Sequence, residues 1–228
     1  MEQQRLDSTE IKIRKATKAH QRYKVDGVAV PSVTTILGLM SKPMLIKWAN
    51  NLGLQGIDST KYVDETAKIG SLVHERIEAY LSNFTLDMSD YTPNQVEASH
   101  NGFNKFLKWY EENDFQVIAT EHQMVSEVYK YGGTCDCYGI KDGKYVLLDF
   151  KTGKAIYDEY FVQLAAYVNM LLEEGKSVDK VILLRIGRNE EEGFDFREID
   201  VNDLMGARWE IFLSLLNVYY KKKEIGWS

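Results

Sequence analysis

The sequence predicts an α/β fold: a central mixed β-sheet flanked by α-helices, with an N-terminal helical region before it. Three observations predict this fold. Apolar residues recur at helical spacing before residue 115, the stretch 115–200 contains short runs typical of strands, and a helical pattern separates two of those runs. The chain has 228 residues, 44% of them hydrophobic, so it can bury a large core as a single domain, residues 1–228.

The N-terminal part, residues 1–114, contains a basic segment followed by predicted helices. Asp26-Gly27 is typical of a hairpin turn, and Pro31-Ser32 is a typical start for a short helix through Leu37. Helical spacing of apolar residues predicts three longer helices: Met44 to Asn51, Val63 to Leu81 and Pro93 to Asn113.

The predicted sheet core, residues 115–200, contains five strand patterns. They run over Gln116 to Val128, Gly132 to Ile140, Tyr145 to Lys151, Lys180 to Ile186 and Phe194 to Ile199. A helix from Glu159 to Glu174 separates the third pattern from the fourth. The C-terminal part, residues 201–228, is predicted as one closing helix from Asp203 to Lys222.

Charge and cysteine content restrict the class of protein. Lys plus Arg total 28 and Asp plus Glu total 34, a net charge of −6, which excludes a globally basic nucleic-acid binder but leaves room for local basic surfaces. Cys135 and Cys137 are too close in sequence to link distant segments, so we interpret them as core thiols of a protein from a reducing compartment. The sequence contains no apolar run of membrane-spanning length, and its first ten residues are unlike a signal peptide.

The Asp142-Gly143 turn predicts how two strands pair. A two-residue loop fixes the register of its hairpin, and counting outward sets Asp136 directly across from Asp149, with their Cβ atoms about 4.5–5.5 Å apart. Alternation of side chains puts Lys151 on the same face as Asp149.

Two facing carboxylates in an apolar strand repel each other, so a cation is expected between them. Lys151 satisfies this as a plain ion pair, which is the ordinary interpretation of an isolated Asp-x-Lys sequence. A divalent cation is the alternative, because Mg²⁺ binds carboxylates and carbonyls and keeps waters for chemistry. The hairpin alone leaves both interpretations open.

Polar residues elsewhere favour a site. His74 and Glu78 are four residues apart on a predicted helix and therefore share a face. Glu121 lies on the strand before the hairpin, and Gln163 and Tyr167 share a face of the helix after it. Each residue alone is ordinary: a satisfied histidine, an exposed strand acid, a core tyrosine.

Together these residues resemble the RecB-type branch of the PD-(D/E)xK nuclease superfamily. The matching elements occur in the family's order: His74-x-x-x-Glu78, Glu121, Gly133-x-x-Asp136, Asp149-Phe-Lys151-Thr152 and Gln163-Leu-Ala-Ala-Tyr167. Two further stretches are similar to mitochondrial genome maintenance exonucleases and their phage and bacterial relatives: Pro31-Ser-Val-Thr-Thr35 and Gly70-x-x-x-His74-Glu75. The resemblance spans Val30 to Tyr167 and implies a restriction-endonuclease-like core.

The resemblance also implies a role for each matching residue. The implied metal ligands are the carboxylates of Asp136 and Asp149, the carbonyl of Phe150 and the imidazole of His74. Lys151 is implied to orient or deprotonate the attacking water and to stabilise charge in the transition state. The implied supporting residues are Glu121 beside the metal or its waters, Gln163 and Tyr167 along the wall of the site, and Glu78 behind a ligand.

The implied cofactor is Mg²⁺ or Mn²⁺. Relatives that carry an iron–sulfur cluster hold it with cysteines that this sequence does not have, so no cluster is expected. The family's usual proline before the first aspartate is also missing, and Cys135 stands in its place.

The implied partner is DNA, as a single strand or a free end. Candidate phosphate contacts are Arg14, Lys15 and Arg22 in the basic segment Lys12 to Lys24, and Lys154 beside the site, while Tyr157 is a candidate for stacking on unpaired bases. A solvated basic face and a helix-packing aromatic residue are the alternative interpretations. By analogy with relatives that degrade single strands, the helices from about Pro31 to Leu81 are expected to arch over the site.

The expected function is a metal-dependent DNA exonuclease of replication, recombination or repair. We expect it in the cytoplasm of a bacterial or phage-infected cell, away from membranes, with replication or recombination proteins as candidate partners. A duplex-end or structure-specific endonuclease and a non-catalytic nucleic-acid-binding module are the alternatives. A purely structural protein with a salt-bridged hairpin is a third.

Overall fold

The computed structural model describes residues 12–16 and 22–227. Part of the predicted basic segment, including Lys18, lies outside the described residues. Within them, no helix has the length and apolar character needed to cross a membrane.

The elements follow one another in chain order. The strands are β1 Ile13–Lys15, β2 Tyr23–Val25, β3 Val28–Val30, β4 Thr85–Asp87, β5 Gln116–Ser126, β6 Tyr131–Lys141, β7 Lys144–Thr152, β8 Lys180–Ile186 and β9 Phe194–Asp200. The helices are α1 Val33–Leu37, α2 Pro43–Leu54, α3 Ser59–Leu81, α4 Pro93–Glu112, α5 Asp158–Glu173, α6 Val201–Leu204 and α7 Ala207–Glu224.

A five-stranded sheet with the order β5-β6-β7-β8-β9 forms the centre of the molecule. Strands β7 and β8 run parallel and α5 connects them, whereas the other neighbouring strands are antiparallel. Two small sheets, β1-β4 and β2-β3, lie outside it. This architecture confirms the predicted mixed sheet flanked by helices.

Two apolar cores cover the two faces of the sheet. Alternating residues of β8 divide between them: Val181 and Leu183 pack with α1, α5 and α7, whereas Ile182 and Leu184 pack with α3 and α4. All four side chains are almost completely buried. Because both faces are covered, the strand is a nearly continuous apolar run, which is how its sequence reads.

The Asp142-Gly143 hairpin has the predicted register. Both turn residues have positive φ, 51° and 72°, as a type I′ turn requires. Lys141 pairs with Lys144, and the pairing continues to Cys137 with Leu148.

Some boundaries differ from the prediction. Helix α3 begins at Ser59 and not at Val63, because the Asp58 carboxylate accepts hydrogen bonds from two N–H groups of the first turn. The closing helix is two helices, since Gly206 has a φ of 60° and separates α6 from α7. Strands β1 and β4 were not predicted; they are three residues long and pair with each other in parallel.

Candidate active site

The alternation of side chains between the two faces of the sheet is interrupted in β6 at Asp136. Strict alternation would put Cys135 and Cys137 on one face, but Cys137 packs in the core against α3 and α4, and Cys135 packs in the core on the other face. Both cysteines are buried and free, as core thiols are expected to be. The reversal between them marks an irregular point in the sheet.

Strands β6 and β7 separate at the same point. Their ladder ends at Cys137 and Leu148, one pair short of Asp136 and Asp149. Beyond that end, the Oδ2 atom of Asp136 accepts a hydrogen bond from the main-chain N–H of Phe150 at 2.7 Å. Asp136 therefore reaches across the gap towards the next strand and does not continue the ladder.

Asp149 and Lys151 face one side of β7 as a buried ion pair. Asp149 is 1% exposed, and its Oδ2 atom lies 2.6 Å from Nζ of Lys151. At this distance the Lys151 ammonium is both the charge partner and the hydrogen-bond donor of Oδ2. The Lys151 ammonium also lies 5.4 Å from the centre of the Tyr160 ring, a cation–π contact at the start of α5.

His74 comes to the site from α3. Its Nδ1 atom lies 3.5 Å from Oδ1 of Asp136, and its ring meets the Phe150 ring edge to face at 5.8 Å. Gly70, one turn earlier, makes this approach possible, because a Cβ atom there would lie 2.4 Å from Oγ1 of Thr152 at the end of β7. The helix can pack directly on the strand that carries Asp149 only because this residue has no side chain.

The two carboxyl groups have opposite shifts in pKa. Burial raises the pKa of Asp136, but attraction by His74 and Lys151 and the Phe150 N–H outweigh burial and bring it down to about 2. Burial also raises the pKa of Asp149, and with repulsion by Asp136 it outweighs Lys151, so that this pKa is about 6. Burial lowers the pKa of His74, yet the neighbouring Asp136 carboxylate reverses this and leaves it raised.

Two adjoining cavities open beside the site; His74 and Asp136 line one of them, whereas Asp149 and Lys151 line neither. His74, Asp136 and Thr152 line one of about 490 Å³, and Glu78 lines the other, of about 570 Å³. Glu121, whose φ is +47°, lines both, and so does Glu75. These shared residues join the two cavities into one groove.

Sequence reasoning gave no role to Glu75, which follows His74 on the helix. Its side chain is buried, and its Oε2 atom accepts a hydrogen bond from the Tyr91 hydroxyl at 3.4 Å. Burial and this carboxylate raise the pKa of Tyr91 to about 12. The available signal was the Gly70-x-x-x-His74-Glu75 stretch, but adjacent helical residues point about 100° apart, and only packing reveals that both face the groove.

Gln163 and Tyr167 lie in the core beside Asp149. The Gln163 amide donates a hydrogen bond to the Tyr167 hydroxyl at 2.7 Å, and both side chains are buried. Burial and the nearby Asp149 carboxylate raise the pKa of Tyr167 well above its ordinary value. Like Asp149 and Lys151, neither residue lines the two cavities, and the Tyr167 hydroxyl lies on the core side of Asp149.

The predicted DNA-contacting residues divide into two groups. Arg14 and Lys15 on β1 line the larger cavity, where Arg14 lies 3.8 Å from Glu78 and stacks over the Phe84 ring. Three others line neither of the two cavities: Lys154 and Tyr157 are exposed after β7, and Arg22 is exposed before β2.

The donor atoms at the site fit a divalent cation in their chemistry. Two carboxylates, an imidazole and the Phe150 carbonyl are the oxygen and nitrogen donors that Mg²⁺ or Mn²⁺ accepts. Across residues 12–16 and 22–227, however, no three His, Cys, Asp or Glu side chains are arranged as a metal-binding group. In this arrangement Lys151 contacts Asp149, and His74 and the Phe150 N–H contact Asp136. The ligand set therefore stays a prediction.

The sequence matches no family model and no curated protein. Among solved structures, the chain is similar to a candidate exonuclease from Eubacterium rectale, with 12% identity, a TM-score of 0.46 and coverage of 70% of this chain and 69% of the other. A phage-related exonuclease from Haemophilus somnus has 14% identity, a TM-score of 0.38 and coverage of 69% and 83%. An alkaline exonuclease from Laribacter hongkongensis has 12% identity, a TM-score of 0.34 and coverage of 55% and 71%. These similarities to solved structures are distant, and they say nothing about the reaction of this protein.

Proposed function

We propose that this chain is a metal-dependent DNA exonuclease that hydrolyses phosphodiester bonds at single-stranded DNA or free DNA ends. The observation that carries the proposal is the convergence of Asp136, Asp149, Lys151 and His74 where β6 and β7 separate. A plain structural hairpin needs neither a gap at this point nor a histidine brought from a separate helix.

The electrostatics of the pair support a site built for a cation. Asp149 is buried beside a second carboxylate, and burial and repulsion outweigh its single ion pair, so its ionised form is disfavoured. A protein gains nothing in stability from such an arrangement. It is explained if a further positive charge joins the two carboxylates in the active state.

The chain's own residues have distinct parts in the proposed reaction. Lys151, paired with a carboxylate, acts as an ammonium that orients the attacking water and offsets the charge developing on the phosphoryl oxygens. His74 and the Phe150 N–H fix the Asp136 carboxylate from two sides. The Gln163–Tyr167 pair supports Asp149 from the core.

Asp136, Asp149, His74 and the Phe150 carbonyl would hold Mg²⁺ or Mn²⁺, with Glu121 next to it and Glu78 farther along the groove. When bound, such an ion lowers the pKa of a water molecule and neutralises charge on the phosphate. The proposal includes no iron–sulfur cluster, because the sequence has no cysteines beyond Cys135 and Cys137 to hold one.

Local cations support contact with DNA although the chain is acidic overall. Arg14 and Lys15 lie along the groove that continues from the catalytic cavity, and Lys154 follows the catalytic strand. Arg22, which follows Lys15 in the sequence, and Tyr157, which follows Lys154, are both exposed. The proposal includes a role for this activity in replication, recombination or repair. It places the protein in the cytoplasm of a bacterial or phage-infected cell.

The deciding experiment is a gel assay with end-labelled DNA in Mg²⁺, Mn²⁺ or EDTA. The substrates are linear single-stranded, linear duplex and circular single-stranded DNA, and Lys151→Ala is the matched inactive variant. We expect metal-dependent loss of the linear single strand only, absent in the variant. Cleavage of the circle indicates an endonuclease instead, cleavage confined to duplex ends indicates a duplex-end enzyme, and binding without cleavage indicates a non-catalytic module.

A further inference from the structure

Helix α7 is apolar on the face that points into solvent as well as on the face that packs on the protein. Phe212 and Leu216 of its inner face are buried in the core that α1 and α5 share. On the outer face, Ile211 and Val218 are 45% and 47% exposed, and Ile225, just beyond the last turn, is 72% exposed. A helix that is apolar on both faces is normally covered on both. The outer face of α7 is therefore a candidate interface.

A groove of about 420 Å³ lies on this outer face. All the residues that line it in the described part of the chain belong to α7: Ala207, Glu210, Ile211, Ser214, Leu215 and Val218. Ile211, Val218 and Ile225 follow one another at a spacing of seven residues. Ala207 and Ser214, which are small, have the same spacing. A seven-residue repeat is typical of helices that pack against each other along their length.

The charges on the outer face are arranged end to end. Near the start of α7, Glu210 lines the groove and has no ion pair among the residues that the structure describes. Arg208, the basic residue nearest to it in sequence, is turned inward, and its guanidinium lies 5.4 Å from the centre of the Phe161 ring of α5. Near the other end, Lys221 lies about three helical turns from Glu210 and so on the same side of the face. Its contact with Glu224 is an exposed ion pair, which contributes little and leaves the ammonium available.

This charge pattern suits a second copy of α7 that runs in the opposite direction. The acid near the start of each helix then meets the lysine near the end of the other, and the two helix dipoles oppose each other. The same alignment matches side chains by size, since Val218 of one copy falls opposite Ser214 of the other. Ile225 likewise falls opposite Ala207. A parallel pair would instead set each of these residues against its own counterpart and each lysine against a lysine.

We infer that α7 pairs with α7 of a second copy of this chain, the two helices antiparallel and related by a twofold axis. Helix α7 packs on one face of the sheet, and α3, which carries His74, packs on the other. No residue of α7 lines either cavity at the candidate active site, so the inference does not depend on the proposed reaction. One helix face, about 27 Å long and about 10 Å wide, is smaller than the roughly 800 Å² per partner of a standard interface, so the dimer should be weak, with a Kd on the order of 10 μM.

The first test measures the oligomeric state. Sedimentation velocity in EDTA, without DNA, follows each protein from about 1 to about 200 μM, a range that brackets the expected Kd. The variant is Val218→Ser with Ile225→Ser. The matched control is Val63→Ser with Leu54→Ser, two apolar residues of α3 and α2 that are 46% and 79% exposed. Circular dichroism melts confirm that each protein is folded.

We expect wild type and control to form the same concentration-dependent dimer, and the α7 variant to have a Kd at least about tenfold higher. A wild type that stays monomeric at about 200 μM overturns the inference, because some other partner or none would then cover the face. A dimer that the α7 substitutions leave unchanged, or that the control substitutions weaken equally, overturns it as well.

Engineered cysteines test the direction of the two helices. Cys135 and Cys137 are fully buried, so the thiols of Ala207→Cys and Ile225→Cys are the accessible ones. A mixture of the two single variants should give a disulfide-linked dimer on a non-reducing gel, because the two positions face each other. Each variant alone should give none, since its two thiols would lie about 27 Å apart, far beyond the reach of a disulfide. A link formed by Ala207→Cys alone, or none in the mixture, overturns the antiparallel pairing.

Discussion

The imidazole of His74 lies 3.5 Å from the Asp136 carboxylate, and this contact joins the N-terminal helices to the central sheet. The other carboxylate oxygen of Asp136 is held by the N–H of Phe150. Asp149, by contrast, is buried, and burial together with repulsion by Asp136 outweighs its contact with Lys151, so that its pKa is raised. Two neighbouring carboxylates therefore make opposite contributions to the stability of the metal-free fold.

Asp136→Asn and Asp149→Asn should change the stability of the metal-free protein in opposite directions at pH 8. Asp136→Asn removes the charge that His74 and the Phe150 N–H stabilise, so the free energy of unfolding falls. Asp149→Asn removes a buried charge that burial and Asp136 disfavour, so the free energy of unfolding rises. Each change should be on the order of 2 kcal/mol, measured by urea unfolding in EDTA.

The two effects should disappear in different pH ranges. Folding raises the pKa of Asp149 from 3.8 to about 6. The carboxyl group therefore stabilises the fold at pH values below 3.8, and this contribution is lost as the pH rises towards 6. The pKa of Asp136 is lowered to about 2, so its contribution is present above the ordinary value and is lost as the pH falls towards 2. The gain from Asp149→Asn should therefore vanish below about pH 4. A loss of stability in Asp149→Asn at pH 8 would instead favour the structural salt-bridged hairpin.

Mg²⁺ and Mn²⁺ should raise the melting temperature of the wild-type protein. A cation between Asp136 and Asp149 relieves their repulsion and binds only the folded state, so a saturating concentration should raise Tm by about 5 °C. Asp149→Asn should show little of this increase, because it removes one charge of the pair. Differential scanning fluorimetry measures both, with K⁺ at equal ionic strength as control; the same increase in wild type and variant would argue against this site.

Lys151→Ala should slow cleavage strongly with little loss of DNA binding, whereas Lys154→Ala should weaken DNA binding with little change in the rate of cleavage. Lys151 lies against Asp149 at the site, and loss of one preorganised charge there typically lowers a rate by about 10²–10³-fold. Lys154 is exposed beyond the catalytic strand, so its removal should raise KM and reduce the salt dependence of binding by about one phosphate contact. Single-turnover rates separate these effects. Equal rates for wild type and Lys151→Ala would remove Lys151 from the mechanism.

The sequence predicts well those features that short-range rules determine. The Asp142-Gly143 turn sets the register of its hairpin through Cys137 and Leu148, because a type I′ turn permits only one pairing. The apolar periodicity of the helices and strands likewise gives their order and approximate bounds, since burial on one or both faces determines the pattern.

Features that depend on tertiary packing were not predictable in the same way. The prediction that Asp136 and Asp149 face each other was extrapolated from the register of the hairpin, but the two strands separate at this point. Nothing in the local sequence marks the positive φ of Glu121. Glu75 was missed because its neighbour His74 already faced the site. The brief strands β1 and β4 hold each other in place by pairing, and three residues are too few to show a pattern.

Gly133→Ala should destabilise the protein, whereas Gly153→Ala should not. A Cβ atom at Gly133 would lie 2.6 Å from Cε1 of the buried Tyr167 ring, which cannot move without disturbing Gln163 or Met170. We expect a loss of about 1–3 kcal/mol in the free energy of unfolding. A Cβ atom at Gly153, at the end of the catalytic strand, would meet no atom within 4 Å, so alanine there should be neutral or slightly stabilising.

A double-mutant cycle checks the cause of the Gly133 effect. Tyr167→Leu removes the part of the ring that the new methyl group meets, so Gly133→Ala should cost about 1 kcal/mol less in that background than in wild type. Urea unfolding of the four proteins gives the coupling, and Gly153→Ala in the same two backgrounds should give none. Because the Tyr167 ring also lies near Asp149, cleavage by Gly133→Ala should fall by more than its loss of stability explains at a temperature where it remains folded. Additive stabilities would mean that the glycine is required by the backbone of β6 and not by the ring that packs against it.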